Sequence, residues 1–143
     1  MFEQFTESLV MTIMRAQEEA GQAGHNYVAP EQLLLGLLSI GTGVAYKVLT
    51  RANVTLLAAR KEILAIEPKG HDRIAIEIPF TAAAKRVLEL TLDEARKANS
   101  KAIDTEHLLL AILREGDSVG VQALRNLSVD LAKLRSDLLE SSK

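Results

Sequence analysis

The sequence predicts an all-α fold made of two four-helix repeats, with eight helices in one compact domain. Three observations support this prediction. Hydrophobic residues make up 48% of the 143 positions but aromatic residues only 3%, and alanine and leucine dominate, which favours helix. Apolar side chains recur at helical spacing in both halves of the chain. The chain also matches itself when it is shifted by 75 positions.

The internal repeat is clearest in two leucine-rich segments, EQLLLGLL beginning at Glu31 and EHLLLAIL beginning at Glu106. Ordered matches that include glycines and a Phe-Thr pair indicate duplication rather than chance leucines. Further pairs are Phe5 with Phe80, Thr6 with Thr81, Glu19 with Glu94, Gly41 with Gly116 and Arg60 with Arg135. We predict a single domain over 1–143 with pseudo-twofold symmetry. Its parts are repeat one at about 1–67, a linker at about 68–79 and repeat two at about 80–143.

Each repeat is expected to begin with a long helix, at roughly 3–22 and 81–98. Thr81 is a suitable N-cap for the second of them. Gly24 and Asn99 are expected to end these helices in the left-handed conformation. The apolar positions that recur at helical spacing in the first helix are Leu9, Val10, Ile13, Met14 and Ala20.

The second helix of each repeat is the leucine-rich segment. Pro30 suits the first helical position, and Asp104 is the expected N-cap in repeat two. Both segments are apolar nearly all round, which predicts two helices buried at the centre. Gly41 and Gly116 are expected to end them.

Two shorter helices complete each repeat. Third helices are expected at about 43–52 and 118–127, with Thr42 and Asp117 as caps. Fourth helices are expected at about 56–66 and 131–141, with Thr55 and Asp130 as caps. Between the repeats Ile74, Ile76 and Ile78 alternate with polar or small residues, which we interpret as an extended linker on the surface.

Composition excludes several classes of function. The net charge of -2 and pI near 5.9 give no electrostatic case for nucleic acid. The absence of cysteine excludes disulfides and thiolate sites. The acidic N-terminus is not a secretory signal, and no apolar run is long enough to insert in a membrane. The expected location is the cytoplasm, or the plastid stroma if a transit peptide has been removed.

No motif predicts catalysis, a metal or a cofactor. The segment GTGVAYK at 41–47 lacks the glycine before the lysine and the following hydroxyl of a phosphate-binding loop. His25, His71 and His107 stand alone, without ligand spacing. We therefore expect a protein that is not an enzyme.

Glu31 and Glu106 are the candidate binding residues. A carboxylate in the first turn of a helix stabilises it through the helix dipole, and that role alone explains a glutamate at both positions. The alternative is a ligand site, because a helix start offers N–H groups to an anion while the carboxylate takes a guanidinium. Thr6 and Thr81 are placed to add hydroxyl groups.

Several segments carry a family resemblance over essentially the whole chain. They are MFEQFTE, RAQEEA, GHNYV, EQLLLGLL, IEIPFT with AKRVLEL, DEAR and TEHLLLAILREG. Together they resemble the N-terminal repeat domain of Clp-family AAA+ chaperones, above all the ClpC type of cyanobacteria, plastids and Gram-positive bacteria. The resemblance implies an all-α, non-catalytic module that recognises substrate proteins and docks adaptor proteins for an unfoldase feeding the Clp protease.

In some bacterial ClpC-like domains the equivalent glutamates bind phosphorylated arginine, which the resemblance assigns to Glu31 and Glu106. This chain departs from the family pattern at both places. Ala29-Pro30 replaces Gly-Thr before the first glutamate, and Asp104 precedes the second Thr-Glu. These changes favour protein docking over phosphoarginine recognition.

Two further alternatives stay open on the sequence alone. The phenylalanines Phe2, Phe5 and Phe80 either form an apolar docking patch or staple the helix starts to the core. The chain is either the front end of a ClpC-like chaperone or a free-standing, ClpT-like accessory subunit or adaptor. Such a subunit would bind the Clp protease core or modulate the ClpC-type unfoldase.

Overall fold

Eight helices, α1 to α8, make up most of the part of the chain that the structure, a computed structural model, describes: residues 4–71 and 78–141. In chain order they are α1 (Glu7–Gln22), α2 (Pro30–Ser39), α3 (Val44–Arg51), α4 (Leu56–Ile66), α5 (Ala82–Lys97), α6 (Thr105–Glu115), α7 (Val119–Asn126) and α8 (Leu131–Ser141). Members of the two sets of four lie at the same offset of 75 residues, which confirms the predicted all-α fold of two related repeats.

Threonine caps set the starts of both long helices. The Thr6 hydroxyl accepts a hydrogen bond from the Leu9 N–H at 3.1 Å, and Thr81 accepts one from Ala84 at 3.0 Å. The first helix therefore begins at Glu7, not at residue 3 as expected, because Thr6 is its cap.

The expected caps of the two third helices were wrong by one residue. Ser118, not Asp117, caps α7 by accepting the Val121 N–H at 3.2 Å. Gly43, not Thr42, precedes α3 with φ 95°, a conformation that favours glycine. A Cβ on Gly43 would also press against Thr105 of the other repeat, so packing reinforces the choice of glycine.

The predicted helix stops adopt left-handed backbone conformations. Gly24 and Asn99 follow α1 and α5 with φ of 75° and 53°. Gly41 and Gly116 follow α2 and α6 with φ of 69° and 79°. Each lets the chain reverse direction immediately after its helix.

The core is built around α2 and α6, as their apolar sequences predict. α2 packs against α1, α4, α6 and α7, and α6 packs against α5, α3 and α8. Gly36 lets α1 approach closely, because a Cβ there would overlap the Thr12 carbonyl oxygen. Four leucines of α2 and α6 are completely buried in the core: Leu33, Leu34, Leu108 and Leu109.

The apolar positions of α1 do not all face this core. Leu9 is fully buried, but Val10 and Met14 are 40% and 55% exposed. The buried stripe of α1 instead continues through small and polar residues, including Thr12 and Ala16. Thr12 is accommodated because its hydroxyl donates to the Ser8 carbonyl at 2.8 Å.

Backbone hydrogen bonds connect the repeats crosswise. The Thr6 N–H donates to the Ile103 carbonyl at 3.0 Å, and the Ile103 N–H donates to Gln4 at 2.8 Å. In the symmetric position the Val28 N–H donates to Pro79 at 2.8 Å, and the Thr81 N–H donates to Val28 at 2.9 Å. The segment that leads into each long helix is therefore held by the opposite repeat.

The predicted linker is described only at its ends. Ile74 and Ile76 lie outside the described residues, whereas Ile78 is buried at 5% exposure. Within residues 4–71 and 78–141, no single helix is long and apolar enough to cross a bilayer. α2 and α3 meet that criterion only as a pair bent by 90°, and α2 is a buried core helix.

Candidate functional site

The two candidate glutamates are buried at equivalent helix starts. Glu31 and Glu106 are each the second residue of a central helix, α2 and α6. Their exposed fractions are 4% and 9%. Buried carboxyl groups need hydrogen-bond partners or a proton, so their surroundings decide what each one can do.

Each candidate threonine lies close to the start of the central helix of the opposite repeat. Thr6 donates its hydroxyl to Asp104 Oδ1 at 2.8 Å, beside the start of α6. Thr81 is joined through its backbone to Val28, just before the start of α2. The structure therefore forms two clusters, each combining the threonine of one repeat with the central helix of the other.

At the start of α6, Asp104 is the centre of a network of hydrogen bonds. Its Oδ1 atom accepts the Thr105 N–H at 2.7 Å as well as the Thr6 hydroxyl. Its own N–H donates to His107 Nδ1 at 2.9 Å. Burial lowers the pKa of His107, so the ring is neutral and accepts at Nδ1.

Glu106 is the exception within this cluster. Its Oε1 atom is buried and has no hydrogen-bond partner among the residues that the structure describes. Burial raises the pKa of Glu106, and the nearby Asp104 carboxylate raises it further. A buried carboxyl oxygen without a donor is energetically unfavourable, and a cationic group brought to it would relieve that state.

The start of α2 is built differently. Ala29 has no side-chain acceptor, and its N–H donates instead to Gln32 Oε1 at 2.8 Å. Pro30 has no N–H to offer. An anion would therefore find fewer donors here than at an ordinary helix start.

Glu31 already has a partner, Glu67 at the end of α4. Burial raises the pKa of Glu31 to about 8, with a contribution from its hydrogen bond to Glu67. The same bond lowers the pKa of Glu67, whose Oε1 atom also accepts the Tyr27 hydroxyl at 2.7 Å. At neutral pH, Glu31 is thus a protonated donor to the Glu67 carboxylate.

A second pair of equivalent glutamates forms ion pairs that the sequence analysis missed. Arg60 of α4 donates two hydrogen bonds to Glu19 of α1, from Nε to Oε1 at 3.0 Å and from Nη2 to Oε2 at 2.8 Å. In repeat two, Glu94 instead contacts Arg114 of α6 at 3.1 Å, while Arg135 is exposed. The only sequence signal was the repetition of glutamate at an offset of 75, which does not identify the arginine.

A cavity of about 170 Å³ lies between α1, α2 and α4 of repeat one. We call it the α1–α2–α4 cavity. Its apolar side is formed by Leu35, Ile63 and Leu64. The Glu19–Arg60 pair, Glu67 and Lys69 line the rest, together with Gln22, Ala23, His25 and Gln32.

The candidate docking phenylalanines occupy different settings. Phe5 and Phe80 are half-buried and pack against the core, whereas Phe2 lies outside the described residues. Phe5 also borders a shallow surface groove with the exposed residues Val10, Met11 and Met14. The helical periodicity of α1 did not reveal this exposed apolar patch.

Comparison with known families identifies the class of domain. A model described as the Clp repeat (R) N-terminal domain matches residues 4–127, and a second match covers 79–143. The chain belongs to this family. The second match begins at residue 79, next to the predicted start of repeat two.

Curated relatives of this Clp repeat domain are much longer proteins. The ATP-dependent Clp protease ATP-binding subunit ClpA homolog of Guillardia theta is 52% identical over 139 residues, 97% of this chain and 17% of that protein. The chloroplastic chaperone protein ClpC1 of Arabidopsis thaliana is 50% identical over 139 residues, 97% of this chain and 15% of that protein. The chain thus spans less than a fifth of these relatives.

Solved structures share the fold of this Clp repeat domain. The N-terminal domain of the chaperone ClpD from Arabidopsis thaliana superposes with a TM-score of 0.82 at 24% identity, covering 98% of this chain and 95% of that one. The Hsp104 N-terminal domain from Candida albicans gives a TM-score of 0.79 at 17% identity, covering 98% and 93%.

Proposed function

We propose that this chain is a non-catalytic protein-binding module that brings substrate proteins and adaptors to an ATP-dependent Clp unfoldase. The observation that carries the proposal is the family match over residues 4–127. Its relatives are named as ATP-binding subunits of the Clp protease and as ClpC chaperones, which supports a role beside such an ATPase.

The start of α6 is our proposed binding point for a basic side chain of a bound protein. Glu106 offers a buried carboxyl oxygen without a donor, and a guanidinium carries several N–H groups in a planar fork. The Asp104 carboxylate adds a negative charge next to it. The side chain of Glu106 would have to turn outward slightly to meet the ligand, because its oxygen is covered.

A phosphoryl group would be disfavoured at the same point. The Asp104 carboxylate already accepts a hydrogen bond from the Thr105 N–H, one of the donors that a phosphate would need at the helix start. That carboxylate would also repel the phosphate. We therefore propose that plain arginine or lysine is preferred over phosphoarginine.

The start of α2 is proposed not to share this role. Glu31 is protonated at neutral pH and donates to Glu67, so it offers no charge to a cation. Binding there would require breaking this hydrogen bond. The two pseudo-symmetric positions would then act as one binding site and one structural pair.

Fluorescence anisotropy with three labelled peptides tests the ligand. The peptides are identical except for a central arginine, phosphoarginine or citrulline. We expect the arginine peptide to bind at least tenfold more tightly than the other two. Glu106→Gln should remove that preference, while the matched variant Glu31→Gln should keep it. Tighter binding of phosphoarginine, or an equal effect of both variants, would contradict the proposed site.

The partner class needs a separate experiment. We propose that the module works in the plastid stroma or in a bacterial-type cytoplasm, in keeping with the chloroplastic names of several relatives. Size-exclusion chromatography of this chain with a ClpC-type ATPase or with the Clp protease core would distinguish the two roles. Co-migration with the protease core in the absence of ATPase would favour an accessory subunit over a substrate-recruiting module.

A further inference from the structure

The α1–α2–α4 cavity is separate from the start of α6 and has the size of one side chain; Gln32 and Glu67, beside the start of α2, lie in its wall. Its volume is about 170 Å³. A cavity of roughly 150 Å³ can hold a benzene molecule, so this space accepts a leucyl or phenyl group but not a longer peptide. Leu35 and Ile63 are buried and supply an apolar floor, and Leu64 is half-buried beside them.

The acidic residues around the cavity use more of their hydrogen-bonding capacity within the protein than the basic residues do. Both acids are engaged: Glu19 accepts two bonds from Arg60, and Glu67 accepts from Tyr27 and from Glu31. The Arg60 side chain uses only Nε and Nη2 in these contacts and remains 37% exposed. The exposed Lys69 forms no ion pair within residues 4–71 and 78–141.

Among the charged residues that line the cavity, the unused hydrogen-bonding capacity is therefore cationic; Gln22, His25 and Gln32 complete the polar lining. The cationic capacity complements a carboxylate placed next to an apolar group. Because the cavity holds only one side chain, the carboxylate that reaches Arg60 and Lys69 must lie very close to that side chain. The α-carboxylate of a terminal residue meets this condition, since it is attached to the same Cα atom.

We propose that the α1–α2–α4 cavity binds the C-terminal residue of a partner protein when that residue is large and apolar. The side chain enters between Leu35, Ile63 and Leu64. The terminal carboxylate accepts hydrogen bonds from Arg60 and Lys69. This site lies apart from the start of α6, and its binding does not depend on Glu106.

Repeat two does not reproduce these features. Glu94 is held by Arg114 rather than by Arg135, which leaves Arg135 exposed. The position equivalent to Gln32, at the cavity wall, is His107, whose ring is committed to Asp104. A chain end is therefore expected to bind to repeat one.

Isothermal titration with four short peptides tests the proposal. The first ends in leucine with a free carboxylate, and the second is its C-terminal amide. The third ends in serine with a free carboxylate. The fourth is amidated and carries aspartate directly before leucine. We expect the first peptide to bind at least tenfold more tightly than each of the others.

Two protein variants locate the binding. Lys69→Ala should weaken binding of the leucine-ended acid about tenfold, whereas Lys101→Ala, at another exposed lysine, should leave it unchanged. Equal binding of acid and amide would overturn the proposal. Equal binding of the aspartate peptide would replace the chain end by an acidic side chain and would also overturn it. Full affinity of Lys69→Ala would place the ligand elsewhere.

Discussion

Glu31 donates a hydrogen bond to Glu67, so a single proton joins a carboxyl group at the start of α2 to one at the end of α4. Glu31 is almost completely buried, with 4% of its surface exposed, whereas Glu67 is half-buried and also held by Tyr27. The pair ties the central helix of repeat one to the last helix of that repeat.

This pair should make stability depend on pH. The folded-state pKa of Glu31 is raised from 4.5 to about 8, so its contribution is fully present below about pH 4.5 and is lost as the pH rises through about 8. We expect the free energy of unfolding to fall over that window by at most about 5 kcal/mol, since the rise from 4.5 to about 8 spans roughly 3.5 pKa units at about 1.4 kcal/mol each. Urea denaturation at pH 5, 7 and 9 measures the change.

Glu31→Gln provides the matched test, because glutamine can donate to Glu67 without titrating. Its stability should vary less with pH than that of the original chain and should exceed it at pH 9. Glu7→Gln, at an exposed glutamate of α1, should leave the pH dependence unchanged. A pH profile for Glu31→Gln that parallels the original one would show that another group is responsible.

Thr6 and Thr81 should differ in their contribution to stability. Both hydroxyls cap a long helix, but among the described residues only the Thr6 hydroxyl also bonds across the repeats, to Asp104. The residue equivalent to Asp104 is Ala29, which has no acceptor. Thr6→Val should therefore destabilise the fold by about 1 kcal/mol more than Thr81→Val, the net value of one hydrogen bond. Chemical denaturation that gives equal losses would contradict this assignment.

The arginine partners of the buried glutamates predict another asymmetry. Arg60→Met leaves Glu19 buried without its cation and should reduce stability by about 1–3 kcal/mol. Arg135→Met, at the equivalent exposed position, should change stability by less than about 0.5 kcal/mol. Adding Glu19→Gln to Arg60→Met should recover much of the loss in thermal melts. A loss that persists in the double variant would point to packing rather than charge.

Alanine substitutions at Gly24 and Gly41 should distinguish the cost of backbone strain from the cost of steric overlap. Both glycines have left-handed φ angles, 75° and 69°, so alanine at either position carries a strain of about 1 kcal/mol. A Cβ at Gly24 would in addition overlap the Gly70 carbonyl oxygen, whereas no residue that the structure describes comes within 4 Å of such a Cβ at Gly41. Gly24→Ala should be clearly the more destabilising in urea denaturation, and equal losses would rule out the overlap.

The helices were predictable because their signals are local. The Thr81 cap, the stop at Gly24 and the all-apolar character of α2 depend on residues within one or two turns. The cap of α3 was missed because it depends on a contact with the other repeat. The start of α1 was misplaced although its cap, Thr6, is as local as Thr81. Gly43 is selected by both its left-handed backbone and its contact with Thr105, which lies 62 positions away along the chain.

The candidate site was predictable only in part. The repeated glutamates and threonines were visible as pairs, and the structure places each threonine near the opposite central helix. The different states of Glu31 and Glu106 were not visible, because they depend on Glu67 and on a buried oxygen without a donor. Sequence spacing shows that two positions are equivalent, but not that their neighbours are.

The backbone hydrogen bonds at Ile103 and Val28 make each four-helix unit depend on a segment of the other. Neither four-helix unit supplies the segment that completes its own surface, so a lone unit could satisfy these bonds only by exchanging segments with a second copy. The two units exchange these bonds as the subunits of a dimer would if their chains were joined end to end. A protease that nicks the connection between α4 and α5 should therefore produce two fragments that remain bound to each other.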